Sequence, residues 1–137
     1  MNSKERIENY KKSRMFEKEI VRAAETTVKI LEGTMYYSLI HGITMDSEKH
    51  AYLLDALIKM LSERKVELDK TKILELQHNI NEHIDLEKKA IENYKKILDI
   101  KEPLLEKEER EIVKHIYEDE KVHHRTLERI KKVFLEK

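Results

Sequence analysis

Cysteine is absent from this 137-residue chain, and it has only one proline and two glycines. Without cysteine there is no disulfide, no thiolate metal site and no thiol nucleophile, so any metal must sit on His, Asp or Glu. The shortage of Pro and Gly, together with 41% charged residues, favours long helices. Net charge is missing too, since 28 Lys and Arg face 28 Asp and Glu. Nucleic acid is therefore excluded as the main partner, because phosphate binding needs a positive face. No run approaches the roughly 18 apolar residues of a membrane span. The first residues, MNSKERIENYKKS, lack the apolar core of a signal peptide. The expectation is a cytoplasmic protein with no membrane partner, of a length that suits one domain.

What is present is apolar residues at helical spacing. Breaks at Gly33-Thr34, residues 62–71 and residues 100–103 leave four long segments. The first, 14–32, puts Phe16, Ile20, Ala23, Thr27 and Leu31 on one face, and the second, 35–63, does so with Leu39, Ile43, Leu54, Leu57 and Leu61. The third, 70–99, uses Ile73, Leu76, Ile80, Ile91, Tyr94 and Leu98, with Asp69 as N-cap. The fourth, 103–135, uses Ile112, Ile116, Leu127, Ile130 and Phe134, with Pro103 in its first turn. Four such stripes predict an all-α four-helix bundle over residues 14–137. Ile7 and Tyr10 fall out of phase with the Phe16 stripe, so residues 1–13 read as an N-terminal arm, short helix or interface, which leaves a homodimer open. Gly42 costs its helix about 1 kcal/mol relative to alanine and marks a place where it could break.

The chain repeats itself. AAETTVKILE at 23–32 aligns with AIENYKKILD at 90–99, and MDSEKH at 45–50 shares its frame with EDEKVHH at 118–124. Two related helical hairpins follow. In the later motif Glu120 and His123 are three apart; in the earlier one His50 has Ser47 in place of the glutamate. A Glu-x-x-His pair alone is weak, because about one is expected by chance in a chain this acidic. Position is stronger evidence: at 100° per residue, Glu120, His123, Ser47, His50 and Glu87 all fall among the apolar stripes, with His83 one turn before Glu87. Buried carboxylates with no inward Lys or Arg need a cation, a shared proton or water. His50, Glu87, Glu120 and His123 are accordingly expected to form a metal site. His83 alone reads as a core histidine, and His41, His78, His115 and His124 as surface residues.

These residues resemble the ferritin-like superfamily, specifically its rubrerythrin-type members. Glu87 with Tyr94 resembles the family's Glu-x6-Tyr, and Glu120 with His123 its Glu-x-x-His. In the first half only His50 matches: the repeat sets Ile20 opposite Glu87 and Ser47 opposite Glu120, while Glu17 and Glu19 flank the stripe without aligning. The resemblance covers most of residues 14–135 and implies a ferritin-like bundle. The family joins its second and third helices by a long crossover, whereas residues 64–71 span about 26 Å at most, which leaves a crossover or a short turn open. Four glutamates balance two divalent ions in that family; Glu87 and Glu120 balance one. The expectation is one divalent ion, iron before zinc or manganese, held by His50, Glu87, Glu120 and His123 with His83 as a fifth ligand or hydrogen-bond donor. The implied function is metal binding, with iron-dependent handling of peroxide or oxygen as the oxidoreductase reading and an external protein as electron donor. The alternative is a metal-free helical structural or interaction module with a vestigial site.

Overall fold

Each helix begins where a side chain can take up a free backbone N–H. Asn2 accepts from Glu5 N at 2.9 Å while Glu5 accepts from Asn2 N at 3.1 Å, a reciprocal cap. Asp69 accepts from Lys72 N at 2.9 Å, as the sequence predicts. Residues 1–62, 67–102 and 104–136 are described by the computed structural model. They form four helices and no strand: α1 (Ser3–Ile30), α2 (Met35–Ser62), α3 (Lys70–Leu98) and α4 (Lys107–Leu135). The protein is thus all-α. Helix α1 packs on α2 and α3 on α4, giving two hairpins, the make-up of a four-helix bundle. The hairpins are the two compact units of the chain, Met1–Lys65 and Val66–Lys137. Among the described residues no helix is long and apolar enough to cross a membrane.

Two boundaries differ from expectation, and the break that Gly42 allows in the second segment is not made. Helix α1 runs without a break through residue 13, where the sequence suggested the end of an arm. Helix α2 runs through Gly42. Helix α4 starts at Lys107 rather than 103; residues 104–105 turn first, and Leu105 is buried beneath that turn. Pro103 lies outside the described residues, as do residues 63–66 of the α2–α3 connection, so the crossover question falls there. The two hairpin turns are built differently. Gly33 supplies a positive φ of 85° after α1. In the second turn Arg110 donates to the carbonyl oxygens of Leu98, at 2.6 Å, and of Ile100, tying the start of α4 to the free end of α3.

The sequence chose the wrong stripe on α1. Phe16 is 50% and Ile20 43% exposed, and Ala23 and Thr27 are exposed as well. The half-buried positions include Ile7, Tyr10, Arg14, Glu17, Val21, Ala24, Val28 and Leu31, spaced alternately by three and four residues, with Arg6 and Ser13 beside them. This is the seam of a two-helix coil. Ile7 and Tyr10, out of phase with the Phe16 stripe, are in phase with it. Helix α2 answers with the same spacing from Tyr37 through Thr44, Ser47 and Ala51 to Leu61. Seam positions of α3 include Ile80, Ile84, Glu87, Ile91 and Tyr94, and those of α4 run from Arg110 through Tyr117, Glu120 and His124 to Phe134.

Candidate metal centre

Glu87 stands in the middle of α3 on the seam and is only 8% exposed. Facing it across the hairpin, α4 brings Glu120 on its own seam and His123 one turn later on the flank. One potential ligand atom from each of Glu87, Glu120 and His123 lies within 4.8 Å of the others. His123 Nδ1 is 3.6 Å from Glu87 Oε1 and 3.7 Å from Glu120 Oε1. His83, one turn before Glu87, places Nε2 3.3 Å from the same Oε1. The second oxygen, Glu87 Oε2, is buried with no hydrogen-bond partner. Neither carboxylate is paired with a Lys or Arg among the described residues.

Glu87 perturbs Glu120. A hydrogen bond to Glu87, then burial, then the charge of Glu87 hold the Glu120 carboxyl above its ordinary value; the positive form of His123 pulls the other way. A proton shared between the carboxyls therefore competes with a cation for the same place. The imidazoles are more open than the acids, since His123 and His83 are roughly half exposed. The cluster thus joins a dry acidic floor to a wet imidazole edge.

Of the five residues expected at one site, Glu87, Glu120 and His123 come together and His83 touches Glu87. His50 lies in the first hairpin, where its Nδ1 is 3.3 Å from Glu17 Oε1. Glu17 Oε2 is buried without a hydrogen-bond partner, as is Glu87 Oε2. Setting Glu17 opposite Glu87 also matches the seam of α1 to that of α3, three residues from the register that puts Ile20 there. The glutamate missing from the first α-helix by sequence alignment is therefore present one turn earlier. Ser47, 5% exposed, does stand where Glu120 stands in the second hairpin. The signal that finds Glu17 is the unbroken three-four spacing from Ile7 to Leu31.

His124 corrects another expectation. It sits on the seam rather than at the surface, with Nδ1 buried and lacking a hydrogen-bond partner and Nε2 3.8 Å from Glu128 Oε1. His41, His78 and His115 are exposed, as expected. No protein-family model, no curated protein and no solved structure matches the chain.

Proposed function

We propose that the protein binds a divalent metal ion in its second hairpin, with Glu87, Glu120 and His123 as ligands and His83 as a further ligand or as hydrogen-bond donor to Glu87. The observation that supports this most is the pair of carboxyls sharing a seam with no Lys or Arg partner, one with a buried, unpartnered oxygen. Two carboxylates neutralise one divalent ion, and carboxylate with imidazole suits iron, manganese or zinc. The exposed imidazole edge leaves space for water or a small molecule beside the ion. Iron there would supply redox chemistry toward oxygen or peroxide, and with no cysteine in the chain the electrons would come from another protein. Glu87, Tyr94, Glu120 and His123 carry the resemblance to rubrerythrin-type proteins that favours this chemistry.

One observation favours the competing reading, a metal-free helical interaction module: the raised Glu120 carboxyl can hold the acid pair together through a shared proton. Metal analysis of untagged protein, followed by anaerobic titration with Fe(II), Mn(II) and Zn(II), separates the two. The expected result is one ion per chain, lost in His123→Ala and in Glu87→Gln and retained in His78→Ala, whose side chain is 81% exposed. No metal bound by the parent supports the module instead, and equal binding by the His123 and His78 variants overturns the ligand assignment.

A further inference from the structure

The flank of the second hairpin opposite the imidazoles carries a different chemistry. Counting 100° per residue from the seam, His83 and His123 turn to one side of the hairpin, whereas Lys88, Lys121 and Arg125 turn to the other. Between α3 and α4 on that side is a groove of about 390 Å³, lined by Lys88, Ile91, Glu92, Tyr117, Lys121, His124 and Arg125. Three cationic side chains there face one acid. Lys88 and Arg125 make no ion pair among the described residues. Lys121 lies over the Tyr117 ring, 4.8 Å from its centre, and reaches Glu118 at 3.6 Å. His124 adds an imidazole nitrogen that is buried and has no hydrogen-bond partner.

We propose that this groove binds a small organic phosphate, its charged end between Lys88, Lys121 and Arg125 and its body against Ile91 and Tyr117. A phosphate anion matches the positive charge that remains after Glu92 and Glu118 are counted, and guanidinium with ammonium donors suits its oxygens. The apolar floor gives the remainder of the ligand a surface to cover. The first hairpin supplies the internal contrast. Its groove, about 640 Å³, occupies the same flank but sets Glu17, Glu48 and Asp55 against Arg14, Lys18 and Arg22, and Arg14 is already held by Asp55 at 2.9 Å. That groove is balanced in charge and has no surplus to offer an anion. The site lies on the flank away from His123 and does not depend on a metal.

Titration calorimetry of the full chain at low salt, with inorganic phosphate and phenyl phosphate as probes, tests the assignment. The expected result is one site that prefers phenyl phosphate, weakens with added chloride and is indifferent to chelator. Lys88→Gln with Arg125→Gln, both exposed residues, should lower phenyl phosphate affinity by about tenfold or more, whereas Lys18→Gln with Arg22→Gln should leave it unchanged. No binding by the parent overturns the proposal, and so does equal loss in the two double variants, which would mean diffuse attraction rather than a site. Loss of binding on chelation would assign the phosphate to a metal ion instead, and would also overturn it.

Discussion

At matching seam positions the first hairpin carries Arg14, Ser47 and Ala51 where the second carries Ile84, Glu120 and His124. Both hairpins keep a glutamate and an imidazole in contact, Glu17 with His50 and Glu87 with His123. The surroundings decide what that contact can do. In the first hairpin one carboxylate meets one imidazole, a pairing that needs no further cation. In the second a further carboxyl enters the same space, and the pair of acids then requires a proton or a cation. The difference between an ion pair and a candidate metal centre is thus largely one residue, Ser47 against Glu120.

The strongest test of that comparison is Ser47→Glu. It gives the first hairpin the acid pair and imidazole of the second without any change at Ile20, because Glu17 already occupies the needed place. In metal-free protein it should cost roughly 3 to 5 kcal/mol at neutral pH, since it puts an unpaired charge at a buried position. Added Zn(II) or Fe(II) should recover most of that loss and raise the bound metal by one ion per chain. Recovery requires Glu17, so Ser47→Glu with Glu17→Gln should bind no more metal than the parent. An equal gain in the double variant would break the equivalence of Glu17 and Glu87.

That equivalence marks the limit of what the sequence discloses. Helix number, the hairpin arrangement, the Asp69 cap and the cluster of Glu87, Glu120 and His123 are all legible. The stripe on α3 is legible because its seam is apolar except at Glu87. On α1 the seam contains Arg14 and Glu17 while Phe16 and Ile20 lie outside it, so a search for apolar residues selects the exposed strip. His124 is misplaced for a related reason: it stands 40° from Glu120 on the helix, and an apolar-weighted face centred on Ile116 and Ile130 excludes it. The start of α4 is missed because Leu105 and Arg110 close the turn through tertiary contacts.

The two seams should also differ in how they are held. Ile84 is 4% exposed, and Ile84→Ala should destabilise the protein by about 3 kcal/mol through lost burial and the cavity left behind. At the matching place Arg14 makes a half-exposed ion pair with Asp55, and Arg14→Ala should cost about 1 kcal/mol or less, falling further at high salt. Chemical denaturation at two salt concentrations measures both. Similar costs for the two variants would mean that the first seam depends on its ion pair far more than exposure suggests.

Acidity separates the hairpins next. Because the folded state raises the Glu120 carboxyl above its ordinary value of 4.5, the protonated form is favoured by folding. That contribution to stability is complete below about pH 4.5 and is lost as pH rises through the raised value. Metal binding has the opposite sign, since ligands must shed protons to bind. Melting curves of chelator-treated protein should therefore show a component that declines with rising pH and disappears in Glu120→Gln, while the metal-loaded protein gains stability over the same range. Ser47 provides no second carboxyl in the first hairpin, so Glu17→Gln should leave the component in place. Its persistence in Glu120→Gln would place the coupled acid elsewhere.

The smallest effect concerns backbone rather than charge. Gly42 lies inside α2, at the position where α4 has His115, and a Cβ built there meets nothing within 4 Å. Gly42→Ala should stabilise the protein by about 0.5 to 1 kcal/mol, because alanine gives up less backbone freedom on entering a helix and encounters no neighbour. Gly33→Ala has equally open space but a φ of 85°, so it should destabilise by roughly 1 kcal/mol. Among the described residues of the second hairpin's turn none has a positive φ, and Arg110 holds the end of α3 instead. Thermal melts of the two glycine variants therefore move in opposite directions. A fall in melting temperature for Gly42→Ala would show that α2 is interrupted at that point, as the sequence first suggested, and that the long seam of the first hairpin is two shorter ones.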